Sequence, residues 1–156
     1  MTPDAAIISL NSAKKFFDTS TSCFTEEDSG FSPGEGCFTV AQQIAHVAQT
    51  IDWFVAGVFG GHGFDENFAE HETRVRNVTS LNEAKAWWDR AMQSALEAWG
   101  TKSAEELARP IENDNIMGGA PKGAALNGIT DHTAHHRGAL TVYARLLGKV
   151  APMPYM

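Results

Sequence analysis

Apolar residues recur at spacings of three and four along four stretches of this chain, and each stretch carries the start and stop signals of a helix. In the first, from about Pro3 to Asp18, Ala6, Leu10, Ala13 and Phe17 fall on one stripe. Pro3 suits the first helical position, where its missing N–H costs nothing. The second opens at Thr39 with Gln42 three residues on, the pattern of a capping box. Val40, Ile44, Val47, Ile51, Val55 and Val58 form its core stripe, and Gly60-Gly61 ends it. The third opens at Ser80 with Glu83, a second capping-box pattern, and places Leu81, Ala84, Trp88, Ala91, Ala95 and Trp99 on one face before Gly100. Ser103 and Glu106 then cap a short extra turn ahead of Pro110. The fourth runs from about Pro121 to Leu147, with Leu126, Ile129, Thr133, His136, Leu140, Tyr143 and Leu147 in a continuous seam and Gly148 closing it.

These periods predict an all-α protein, a four-helix bundle with one stripe of each helix turned inward. No strand pattern, internal repeat or low-complexity tract competes with that reading. The 156 residues suit a single domain spanning 1–156, long enough to bury a core without staples. The connections 19–38, 60–79 and 100–120 are longer than usual between helices. They read as loops, which permit crossovers between non-adjacent helices and often carry function.

One polar residue inside an apolar seam changes the picture. His136 lies in the seam of the fourth helix, and His132 sits one turn away, about 40° round the axis. That spacing brings two imidazoles to one face, as a shared metal ion requires. Taken alone, the His-x-x-x-His pair is as well explained by two half-exposed side chains. A third histidine shifts the balance: His46, on the flank of the second helix beside Gln43 and Thr50, is the only histidine in the other three helices. Its plain alternative is an interface histidine bonded to a carbonyl. Three imidazoles leave a coordination position open for water or substrate, whereas a structural zinc site takes four protein ligands. Imidazole suits zinc, the leading candidate, as well as nickel and iron.

The remaining histidines are expected outside the site. His135 is turned roughly 100° from His136. His62, in Gly61-His62-Gly63, and His71, between Glu70 and Glu72, read as solvated loop side chains. Asp131 and Arg137 flank the histidine pair and would either orient a ligand, bind an anion or be ordinary surface charges. Trp53 shares a flank with His46 and is a candidate to line a pocket, while Trp87, Trp88 and Trp99 belong to core or interfaces.

Charge and composition narrow the function classes. The net charge is −7, from 19 acidic and 12 basic side chains, with no basic stripe to follow a nucleic acid or an anionic bilayer. The N-terminal Met1-Thr2-Pro3-Asp4 lacks the basic start of a signal peptide, so a cytoplasmic protein is expected. There Cys23 and Cys37 would be free thiols, and neither is expected to bind the metal.

The stretch from Asp131-His132 through His135-His136-Arg137-Gly138, followed by Tyr143-Ala144-Arg145-Leu146-Leu147-Gly148-Lys149 and Pro152-Met153-Pro154-Tyr155, resembles the C-terminal helix of the DinB-like (DinB/YfiT) family. Thr39-Val40-Ala41-Gln42-Gln43-Ile44-Ala45-His46 is similar to that family's second-helix motif. The resemblance implies a bundle of up-down-down-up topology and a three-histidine metal site whose ligand positions match His46, His132 and His136. It also implies a homodimer, and a metal-dependent enzyme acting on a small molecule. The superfamily includes transferases that use low-molecular-weight thiols such as bacillithiol or mycothiol, a maleylpyruvate isomerase, and metal-dependent hydrolases. No motif here separates a transferase from a hydrolase or from a non-catalytic metal-binding protein, and none marks a general base.

Overall fold

The computed structural model describes residues 1–112 and 115–155; residues 113, 114 and 156 of the expected domain lie outside the description. Six α-helices follow in order: α1 (Pro3–Thr21), α2 (Val40–Phe59), α3 (Phe68–Arg76), α4 (Leu81–Gly100), α5 (Ala104–Ala108) and α6 (Ala125–Leu146). Short 3-10 turns occur at Glu26–Asp28 and Lys122–Ala124. No strand forms among the described residues, as the sequence periods predict; the nearest approach is one antiparallel bridge between Pro110 and Pro121.

The Thr39–Gln42 and Ser103–Glu106 boxes close in both directions, where the sequence puts them. Thr2, ahead of Pro3, adds a cap by accepting from the Ala5 N–H. The box expected at Ser80 is half-formed. Ser80 accepts from Glu83 N–H, and another free N–H of the first turn finds a distant partner: the Glu26 carboxylate accepts from Asn82 N–H at 2.9 Å. That bond ties the 22–39 connection to the start of α4. A second tie is Ser29 Oγ, which accepts from Leu81 N–H at 2.9 Å, and a third is the ion pair of Lys149 with Asp28, which pins the chain after α6 to the same connection.

The four long helices pack in a ring, α1 on α4, α4 on α2, α2 on α6 and α6 on α1. Contacts between named residues give their directions. Tyr143 meets Gln43, His132 meets His46, and Gly128 meets Phe54, so α2 and α6 run antiparallel. Phe17 packs on Trp88, and Ile7 on Gly100, so α1 and α4 do the same. Trp87 bonds Asp52 while Trp99 stacks on Phe59, so α2 and α4 run parallel.

Most residues of the stripes read from the sequence line the interior, but Ala13, Val55 and Leu147 are only part-buried, and on α2 Phe54 is buried in place of Val55. Leu10 and Phe17 of α1, Ile44 and Ile51 of α2, Trp88 and Trp99 of α4, and Leu126, Ile129 and Leu140 of α6 are all essentially buried.

One element departs from the expectation. The 60–79 connection, read as a loop, contains α3, capped by Asn67 and exposing every residue except Val75 and, in part, His71. The helix is nine residues long, with Phe68 and Val75, seven apart on one face, as its large apolar residues, too short a stripe to be read as a helix from the sequence. It is held in place by its ends and by packing against α2.

Candidate metal centre

Helix periodicity brings His132 and His136 to the same side of α6, and the antiparallel packing of α2 sets His46 opposite them. The Nε2 atoms of His132 and His46 are 3.2 Å apart, and those of His136 and His132 are 3.1 Å apart. The ligand-capable atoms of the three rings all lie within 4.8 Å of one another. Two zinc-bound nitrogens in a tetrahedral site, each about 2.0–2.1 Å from the ion, are about 3.4 Å apart, so the two short separations match the edges of such a site. Neutral imidazoles that converge through Nε2 offer lone pairs that a cation can share.

Burial decides the protonation state. It lowers the pKa of all three rings: His132, lowered further by His46, falls to about 4, and His136, lowered further by His132 and His46, to about 3, while His46 shifts the same way against the opposing pull of Glu72. At neutral pH the three are therefore neutral, the form that ligates metal. The sign of the linked stability follows. An unfolded chain protonates these rings as the pH falls through 6.5, whereas the fold resists until well below that. The metal-free protein should therefore lose stability progressively between pH 6.5 and 5, a window in which ordinary carboxylates remain ionised. Urea midpoints of chelator-treated protein would check this, and a midpoint that stays flat across the window would contradict it.

A relay behind His136 fixes its orientation. His136 Nδ1–H donates to Gln43 Oε1 at 2.6 Å, the Gln43 amide donates to the Tyr143 hydroxyl at 3.1 Å, and that hydroxyl donates to the Phe38 carbonyl at 3.0 Å. Each group's role leaves one assignment for the next, and Nε2 of His136 ends as a lone pair facing His132. Outer partners of this kind typically contribute 10–100-fold to metal affinity. Gln43→Leu should therefore weaken metal binding by roughly 10-fold or more, with Tyr143→Phe in the same direction and smaller. A competition titration against a chromophoric chelator measures both.

On its other side the cluster opens into a cavity of about 540 Å³. His46 and His132 line it, with Thr50 and Gln49 of α2, Gly128 and Asp131 of α6, and a wall of Phe38, Trp53, Phe54 and Phe68. Trp53 is held by its indole N–H, which donates to the Asp65 carbonyl at 2.7 Å. At Gly128 a Cβ would lie 2.5 Å from the Phe54 ring, so glycine there allows the ring its place in the wall.

Of the sequence candidates, the structure brings His46, His132 and His136 together and leaves His135 and His62 exposed outside the cluster. His71 needs correction: it sits on α3, is mostly buried and lines the cavity. Asp131 lines the cavity too. Arg137 turns away, its guanidinium over the rings of Phe16 and Tyr155 on the α1 side. Cys23 and Cys37 are free thiols outside the cluster. Sequence reasoning noted Gln43 and Thr50 only as flank residues. Their signal was there, since polar side chains on the buried side of an apolar helix need partners. The α3 contribution had no such signal.

Fold and site together define an all-helical protein with three inward histidines on two antiparallel helices, at the edge of an apolar cavity. The DinB family model matches residues 10–156, and the chain belongs to the DinB family. Among solved structures it is similar to the crystal structure of a DinB-like protein from Bacillus cereus ATCC 10987, with a TM-score of 0.77 at 20% identity, over 97% of this chain and 96% of that one. No curated protein matches it. The longest helices include none long and apolar enough to cross a membrane among the described residues.

Proposed function

We propose that the protein is a metal-dependent enzyme in which His46, His132 and His136 hold one divalent ion, zinc first among the candidates, with an open position facing the cavity. The observation that carries this is the convergence of three neutral imidazoles, two of which form the inner end of an apolar chamber large enough for a small organic molecule. A divalent ion there lowers the pKa of a water or thiol in the open position and so supplies a nucleophile near neutral pH. The chain's own residues do the rest. Gln43 and Tyr143 hold His136 in one tautomer. The aromatic wall limits water and seats the substrate's apolar part.

Transfer of a low-molecular-weight thiol to a small electrophile is the leading reaction class, supported by the family's character. Metal-assisted hydrolysis is the second reading. The cavity favours it in one respect: among the described residues no lysine or arginine lines the chamber to seat the carboxylates of an acidic thiol. Cobalt substitution separates the two. In the thiol reading, adding bacillithiol or mycothiol should produce a sulfur-to-cobalt charge-transfer band, and glutathione a weaker one. If no thiol changes the cobalt spectrum, thiol coordination is refuted. A metal-dependent hydrolysis of model esters that His46→Ala abolishes would then establish the second reading, and its absence would leave a non-catalytic metal protein. The expected homodimer is a proposal resting on the family resemblance and on the four tryptophans of so short a chain; light scattering across a wide concentration range tests it.

A further inference from the structure

We infer that Gln49 is the residue by which the chamber selects its substrate, and that the substrate places an uncharged amide against it, one helical turn from the group held at the histidines. This rests on the reading of that chamber as the substrate site.

His46, Gln49, Thr50 and Trp53 stand at i, i+3, i+4 and i+7 on α2 and so share one face, and all four line the chamber. The ends of that face are engaged: His46 belongs to the histidine cluster, and the Trp53 indole donates to the Asp65 carbonyl. Thr50 Oγ1 lies 3.5 Å from His132 Nε2. Gln49 is 7% exposed, yet its side chain forms no hydrogen bond among the described residues. The other glutamines of the same helix are fully used. Gln42 accepts from the Thr39 N–H and donates to the Arg76 carbonyl, and Gln43 bridges His136 and Tyr143.

The free amide of Gln49 can be reached by a ligand. His71 Nδ1, Trp99 Nε1 and Thr133 Oγ1 are unpaired too, but they are sealed from solvent and ligand alike, whereas Oε1 and Nε2 of Gln49 keep accessible surface. A nine-tenths-buried amide without a partner costs free energy that a bound partner returns.

Hydrogen-bond roles name that partner. A carboxamide sets a donor and an acceptor side by side. A carboxylate would satisfy the N–H and set its charge against Oε1, an ammonium would do the reverse, and a ketone would leave Oε1 bare. An amide meets both atoms at once, with no charge to desolvate against the aromatic wall. A divalent ion's preference for anions acts at the histidine end of the face, where Cβ atoms are about 5–6 Å from those a turn away, so the two preferences address different parts of one ligand. Gln49, Trp53 and His71 also border a second cavity of about 320 Å³, whereas Phe54 and Phe68 line the chamber and not that cavity.

Three probes of one shape test this: 3-phenylpropanamide, its methyl-ketone isostere 4-phenylbutan-2-one, and 3-phenylpropionate. Each is titrated by calorimetry into the metal-loaded protein, its metal content assayed, and into the same protein after chelation. The amide should bind about five- to tenfold tighter than the ketone, with or without metal, and Gln49→Leu should remove that preference. Gln49→Leu should also melt no lower than wild type, since it replaces an unpaired buried amide with an apolar group. A Tm lowered by several degrees would show the amide spent inside the fold and overturn the inference. Phe68→Ala should weaken amide and ketone together, by about threefold; binding indifferent to it would put the ligand in the second cavity and overturn the inference equally. A preference for the amide that is absent in wild type, or that Gln49→Leu leaves unmoved, refutes the role of Gln49 whether or not metal is bound. 3-Phenylpropionate reports on the ion: its affinity should fall on chelation and stay unchanged in Gln49→Leu. A failure of the metal reading therefore shows in that probe and in the metal content, and leaves the amide-to-ketone ratio standing.

Discussion

Replacing His136 with alanine should abolish stoichiometric metal binding, and replacing its neighbour His135 should leave it intact. The two are identical side chains one residue apart, so neither composition nor local charge separates them. Helical phase does. His136 has its Nε2 3.1 Å from His132 and its Nδ1 bonded to Gln43, whereas His135 is exposed and meets His136 only edge to face, with ring centroids 4.9 Å apart. His132→Ala and His46→Ala should behave like His136→Ala. Stability should follow occupancy, since an ion bound only by the fold adds RT ln(1 + [L]/Kd), about 2.7 kcal/mol at one hundred times Kd. Chelator should therefore lower the Tm of wild type and of His135→Ala together, by roughly 5–10 °C for a chain of this size. It should barely move that of His136→Ala. Equal metal loss in the His135 and His136 variants would refute the site, and metal retained in His46→Ala would transfer the third ligand elsewhere.

Trp99→Ala should be among the most damaging changes far from the histidines. Trp99 is 0% exposed and stacks edge-on against Phe59, with ring centroids 4.9 Å apart. Truncating a buried tryptophan removes its transfer free energy and leaves a cavity, typically a loss of about 3–5 kcal/mol, or about 10 °C in Tm. Its indole N–H has no partner among the described residues, so no hydrogen bond contributes to that loss. Trp99→Phe, which deletes the unpaired N–H along with part of the ring, should therefore cost much less than Trp99→Ala. Val142→Ala, at a side chain 51% exposed, should stay within about 0.5 kcal/mol. Thermal unfolding of the three variants measures the series, and a Trp99→Ala protein as stable as Val142→Ala would contradict this account of the core.

Much of this was legible in the chain itself. The stripes of α1, α2, α4 and α6 are local patterns, because a helix that buries one face must repeat apolar residues every three or four positions. The same rule gives the phase of each histidine, so it separates His136 from His135 before any fold is known. Caps at Thr2, Thr39 and Ser103 are equally local, as each satisfies N–H groups within the next three residues. The start of α4 shows where locality ends: the Asn82 N–H of its first turn donates to Glu26, more than fifty residues earlier.

The helical class, and the phase that separates His132 and His136 from His135, are thus properties of the sequence, since both depend on periodicity within one helix, whereas His46 stood out only as the one histidine of the other expected helices and through the family resemblance. Only the tertiary structure decided what surrounds them. That His46 Nε2 lies 3.2 Å from His132 depends on the antiparallel register of two helices separated by most of the chain. The Gln43–Tyr143 relay joins residues one hundred positions apart. The position of α3, whose stripe is only Phe68 and Val75, decides that His71, Glu72 and Phe68 line the cavity. A side chain's direction around its own helix follows from the 3.6-residue turn, but its neighbours across a gap follow from how whole faces pack, and no local pattern encodes that.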